Sequence, residues 1–268
     1  RNLLVLSTFV IFTTSLIGVG HYTTDQNLKC AKQEGFKTLT PFQISFNTEV
    51  EEKQPAHLFK GLAPRFNPIK RSDLVGAITA RAFLPKEHLE RISRFNSVGL
   101  KLIPDEQMYG EGIFTNGEML SSEQLKLLYN LPYSTNFVID IHTGRYDPQN
   151  GETVGEDHYT PHFTLVPEVQ AEYKVGLGPL YQFLRLNSQE QIEKIDEEKL
   201  GPGRIYLTIG KEGKLTNVEL KNPSGQPEFD QRVLELMQSL PGEWESAEDA
   251  DGKKVEQTLV LFYGIMGC

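Results

Sequence analysis

From residue 203 to residue 264 the spacing of apolar positions switches from period two to helical spacing and back. Ile205, Leu207 and Ile209 share one face of a period-two run whose other face carries Tyr206 and Thr208, which predicts a half-buried strand over 203–210. Glu212-Gly213 supplies the residue tolerant of positive φ that a tight hairpin needs, and a second strand follows over 215–220. Phe229, Val233, Leu236, Met237 and Leu240 recur at three- and four-residue spacing, an amphipathic helix over 228–240 that Pro241-Gly242 stops. Trp244, an acidic turn ending at Asp251-Gly252 and a final strand over 255–264 complete the unit. Another helix, over 175–187, precedes it. Phe229, Val233 and Leu236 are expected to face Ile205, Leu207 and Val260.

Upstream the pattern changes. Strands are predicted at 75–83, 97–103, 137–141 and 162–166, with a helix over 121–129 whose Ser121-Ser-Glu-Gln124 start reads as a capping box. Asp147-Pro-Gln-Asn-Gly151 is a turn between strands. From 21 to about 71 periodicity fades and Lys, Gln, Glu, Asn and Pro accumulate; Phe42, Ile44 and Phe46 alternate as one short strand, and the rest reads as linker. The expected organisation is a leader or anchor at 1–22, a lead-in at 23–73, a β-rich middle domain at 74–166 and a compact C-terminal domain at 167–268. The fold class is α+β, the last domain being a three-stranded antiparallel sheet packed with two helices.

At 268 residues the chain accommodates one large or two modest domains, and its net charge of -9 offers no basic face for nucleic acid. Its only cysteines, Cys30 and Cys268, suit neither a zinc ribbon nor a redox pair, and either pair in an oxidising compartment or remain free thiols. Residues 3–20 form an uncharged, mostly apolar run behind Arg1, on the border between a signal peptide and a short membrane span. The remainder is expected on the non-cytoplasmic side, with membrane contact only through that run.

Candidate chemistry is sparse. Asp140-Ile-His142 and Asp157-His158-Tyr-Thr-Pro-His162 form one histidine and carboxylate cluster. His158 and His162 are four apart, but Pro161 interrupts them and no third ligand suggests itself, so solvent-edge histidines are favoured over a metal site. Asp147, Asn150, Glu152 and Asp157 lack the spacing of a calcium loop. Neither a Gly-x-Ser-x-Gly elbow nor a Walker loop nor a dinucleotide fingerprint occurs. No enzymatic activity, metal or cofactor is expected.

Gly203-Arg-Ile-Tyr-Leu-Thr-Ile, Lys214-Leu-Thr-Asn-Val-Glu-Leu, Ser224-Gly225, Phe229-Asp230, Leu240-Pro-Gly-Glu-Trp244 and Asp251-Gly-Lys-Lys-Val255 occur in an order that resembles the C-terminal domain of TonB, in the version common in Bacteroidota-type bacteria. The resemblance covers a little over a third of the chain. It implies a periplasmic binding or coupling protein that meets an outer-membrane transporter or another envelope complex, and an aromatic packing role for Trp244. The middle region is similar to the repeated periplasmic modules of a gliding-motility and secretion stalk protein, which implies a scaffold as the alternative. Membrane peptidase-receptors that end in this same domain suggest a sensor half as a third. Two departures stand out: Asn187-Ser-Gln-Glu-Gln lacks the Tyr-Pro of the family's motif near the transporter contact, and the apolar run holds no histidine. The last strand is nearly all apolar after Thr258, and at a sheet edge such a strand needs a partner. Val255, Gln257, Leu259, Leu261 and Tyr263 are therefore expected to bind one by strand addition.

Overall fold

A computed structural model describes residues 58–265 except 105, 107, 108, 148 and 150. The apolar run, the strand expected at Phe42, Ile44 and Phe46, and both cysteines lie outside the described residues. Among the described residues no helix is long and apolar enough to cross a membrane.

The chain runs through β1 (Phe59–Ala63), β2 (Asn67–Lys70), α1 (Arg71–Leu74), a 3-10 turn (Ala80–Phe83), α2 (Lys86–Leu89), β3 (Ile92–Leu102), β4 (Ile113–Asn116), α3 (Ser122–Tyr129) and β5 (Asn136–Tyr146). It continues with β6 (Thr153–Tyr159), β7 (His162–Val166), β8 (Glu172–Tyr173), α4 (Leu177–Asn187), α5 (Gln189–Ile192), β9 (Pro202–Ile209) and β10 (Leu215–Asn222). After α6 (Pro227–Gln238) come the short β11 (Trp244–Glu245), β12 (Ala247–Glu248) and β13 (Lys254–Val255), then β14 (Gln257–Gly264). The fold is α+β. Its larger sheet has six strands in the order β2-β7-β5-β3-β4, with β6 also on β5, and a second sheet has four in the order β1-β14-β9-β10.

The middle sheet is organised around β5. Phe137, Ile139 and Ile141 point into one core with Val98, Leu100, Leu128 and Leu165, so by period two Val138, Asp140 and His142 occupy the opposite face. Helix α3 covers the core, and its capping box forms as expected: Ser121 Oγ accepts from Gln124 N–H at 3.2 Å, and Gln124 Oε1 accepts from Ser121 N–H at 2.8 Å. The same buried amide donates to Val98 O and Ile113 O, so the cap also ties the helix to β3 and β4. The expected turn after β5 forms as well, with Gly151 at φ 74° and Asp147 Oδ1 accepting from Gln149 N–H.

The strand expected at 75–83 does not form. Ala77, Ala80 and Phe83 are buried while Val75 and Ile78 are 70% and 46% exposed; that three-residue spacing belongs to a helical turn, and the segment ends in the 3-10 turn. The lead-in is also not wholly linker, because residues 59–63 and 67–70 are strands. Pro68 is tolerated because β2 lies at an edge of its sheet.

In the second sheet, Ile205, Leu207, Leu259, Leu261 and Tyr263 share a face with Phe229, Val233, Leu236 and Met237 of α6 and with Leu180 and Leu184 of α4. Val260 does not join them: it pairs with Tyr206 and, one residue out of phase with Leu259 and Leu261, faces the other way. Gly203 lies opposite Tyr263, and a Cβ there would overlap the tyrosine ring. Tyr263 is fully buried and donates its hydroxyl to the buried Asp230 at 2.7 Å, which also accepts from Ser224 N–H. Trp244 packs against Tyr173 with ring centroids 5.2 Å apart.

The outer face of this sheet carries Arg204 and Tyr206, and both reach Glu106 on the β3–β4 connection of the middle sheet. Arg65 adds an ion pair at 3.4 Å and a hydrogen bond to Glu106 O at 2.8 Å. Burial, and then the hydrogen bond to Glu106, push the Tyr206 hydroxyl pKa well above its usual value.

Candidate functional site

The residues expected to capture a partner strand are not at an edge. β14 lies between β9 and β1, with Ala63 opposite Val260, Leu62 opposite Leu261 and Gly61 opposite Phe262. Past the end of β1 its backbone stays engaged, since Thr258 N–H donates to Ser134 Oγ at 2.8 Å. The Gln257 side chain, itself buried, accepts from Ala171 N–H at 2.7 Å and donates to Gln170. Leu259, Leu261 and Tyr263 are buried in the helix-covered core, and Val255 belongs to β13, paired with Ala247. The unbroken apolar run is thus the signature of a central strand covered on both faces and paired on both sides. Beside β1 a groove of about 700 Å³ opens, lined among others by Leu62, Phe66, Val169, Tyr173 and Trp244.

A second constellation forms on the opposite face of the middle sheet. Asp140 and His142 are two apart on β5, hence on one face, and β6 places His158 directly opposite His142. Both imidazoles converge on one carboxylate oxygen: Nε2 of His158 and of His142 lie 2.7 and 3.1 Å from Asp140 Oδ1. Their rings stack with centroids 4.2 Å apart and planes 10° from parallel. Lys101 Nζ sits 2.5 Å from the other oxygen, Oδ2. The Asp140 side chain is 7% exposed, the His142 and His158 side chains 46% and 50%, so a buried carboxylate stands behind two open imidazoles. Burial pushes the carboxyl pKa up, but hydrogen bonds from Lys101 and His158 outweigh it and hold the group below the usual value. It is the charged form that the site keeps.

No protein-family model, curated protein or solved structure matches this chain.

The hairpin that carries the trio is pinned by Arg145, whose Nε donates to both oxygens of Asp157 at 2.9 and 3.1 Å. Asp157 is thereby engaged by the guanidinium, and that bond holds its pKa low. His158 and His162, four apart in the sequence, take different partners. Residues 160–161 break the edge between β6 and β7, and His162 turns to Tyr109, with Nδ1–H donating to Thr160 O at 2.6 Å and Nε2 accepting from the Tyr109 hydroxyl at 2.8 Å. A cavity of about 160 Å³ lies between the two groups, lined by Lys101, Tyr109, Asp140, His158 and His162. The partner of His158 was therefore His142, sixteen residues earlier by number. The legible signal was the turn at 147–151: folding the strands back about it brings 142 close to 158.

Proposed function

We propose that the chain is an exported, non-enzymatic binding or coupling protein of the cell envelope, related in manner to TonB C-terminal domains, in which an extended partner segment adds to the C-terminal sheet beside β14. The observation that carries this reading is β1. An extended segment from far outside residues 167–268 adds to the free side of β14, through a short pairing with a register irregularity between Phe59 and Gly61. The position beside β14 therefore accepts an added strand, and here the chain supplies it in cis. The succession β9, β10, α6, β14 with the order β10-β9-β14 supports the resemblance drawn from the sequence. Main-chain hydrogen bonds give affinity to such an addition, and alternate side-chain pockets give selectivity. The partner is an outer-membrane transporter or an envelope complex on the periplasmic side, and the net charge of -9 argues against nucleic acid.

The test is affinity capture from solubilised native envelopes with the wild-type chain and with Leu62→Pro, which removes a β1 backbone donor and loosens the cis strand. Capture of an outer-membrane transporter, raised severalfold by Leu62→Pro, is expected. Unchanged capture with β1 loosened and the fold intact by circular dichroism places the partner elsewhere. A second reading, a rigid scaffold of a motility or secretion complex, is favoured by one observation: Glu106 joins Arg65, Arg204 and Tyr206 into a tie between the sheets. Capture of such a complex regardless of β1 supports that reading.

A further inference from the structure

We propose that Asp140, His142 and His158 form a binding site for a late first-row divalent cation of the zinc type. The ligand atoms of the trio all lie within 4.8 Å of one another, and two imidazole nitrogens with one carboxylate oxygen are a donor set that suits zinc, copper or nickel rather than magnesium or calcium. The local sequence builds the set in two steps. Period two on β5 puts Asp140 and His142 on one face, and the β5–β6 register puts His158 against His142.

A structural role for Asp140 needs one cation, and Lys101 already provides it at Oδ2. Two imidazole nitrogens within 3.1 Å of the remaining oxygen exceed that need. Two imidazoles stacked 4.2 Å apart both bring Nε2 to within 3.1 Å of the same carboxylate oxygen, close enough for one ion to be shared by all three side chains. Lys101 acts behind the ligands: by engaging Oδ2 it leaves Oδ1 as a single, oriented donor, the part an outer-shell partner plays at metal sites. The Arg145–Asp157 pair fixes the hairpin and so the spacing of His142 and His158. The exposed rings give the ion an entry path. Three protein ligands with open positions make an accessible site rather than a closed structural one.

The test is titration of the metal-free chain with Zn2+ against a chromophoric chelator, together with thermal melting. One ion per chain is expected, with a rise in Tm on zinc addition. His142→Ala and His158→Ala should each weaken binding roughly tenfold or more, since losing even an outer-shell partner costs about 10–100-fold. Circular dichroism of the metal-free variants, in which both altered side chains are about half exposed in the wild type, separates loss of a ligand from loss of fold. His162→Ala, outside the trio, should leave the affinity unchanged. Substoichiometric binding, or binding that survives the His142→Ala/His158→Ala double substitution, overturns the site.

Discussion

β14 and β6 are strands of similar length with opposite characters. β14 reads Gln-Thr-Leu-Val-Leu-Phe-Tyr-Gly and lies inside its sheet, whereas β6 reads Thr-Val-Gly-Glu-Asp-His-Tyr and pairs only with β5. A strand that looked dangerous if exposed is the protected one. The strand at the edge carries glycine and charge, features that keep an edge from recruiting strangers. Apolarity therefore reports centrality, while the polar edge is where side chains remain free for chemistry.

The sharpest way to break that contrast is to apply one truncation to both strands. Leu261→Ala, in a fully buried position of β14, should cost about 2–5 kcal/mol, whereas Val154→Ala on β6, 54% exposed, should stay within about 0.5 kcal/mol. Chemical denaturation of the two variants measures both, and similar costs would refute the distinction. Next in size is the tie between the sheets. Glu106→Gln leaves Arg65 and Arg204 without their shared carboxylate and should cost about 1–3 kcal/mol; differential scanning calorimetry should then resolve two transitions where the wild type has one.

The smallest effect sharpens the comparison at high pH. Burial, then the bond to Asp230, raise the Tyr263 pKa far above the ordinary tyrosine value, so in the folded chain the hydroxyl keeps its proton. Unfolded, it ionises near 10, and stability that is complete below that pH is lost as pH rises above it. The slope should approach about 1.4 kcal/mol per pH unit for each such tyrosine, and Tyr206, whose pKa is also raised, contributes in the same sense. Tyr263→Phe should flatten the decline between pH 10 and 11 in urea titrations, and an unchanged slope would assign the loss to other groups.

Local signals were legible where the physics is local. The alternation of Ile205, Leu207 and Ile209, the Ser121–Gln124 cap and the glycines at 151, 213 and 252, all at positive φ, announce their elements from within a few residues. What was not legible depends on residues far apart. Nothing in Phe59–Ala63 names Gln257–Gly264 as its neighbour, and without that pairing β14 reads as an edge. Glu106 is one acid in a loop until Arg204 and Tyr206 arrive a hundred residues later. The trio at Asp140 is an intermediate case, since the turn at 147–151 is legible locally but the register that sets His158 against His142 belongs to the paired strands.

The pairing of β1 with β14 also sets an order of events during synthesis. The first described strand leaves the ribosome almost two hundred residues before its neighbour, and in that interval the whole six-stranded sheet can be completed. Pairs so distant along the chain form slowly, because a long loop must close first. The four-stranded sheet is therefore the last part of the molecule to close, and a nascent chain stopped short of residue 257 presents β9 with its β14 side bare. Such a fragment is a substrate for chaperones and proteases even when its larger sheet is already sound.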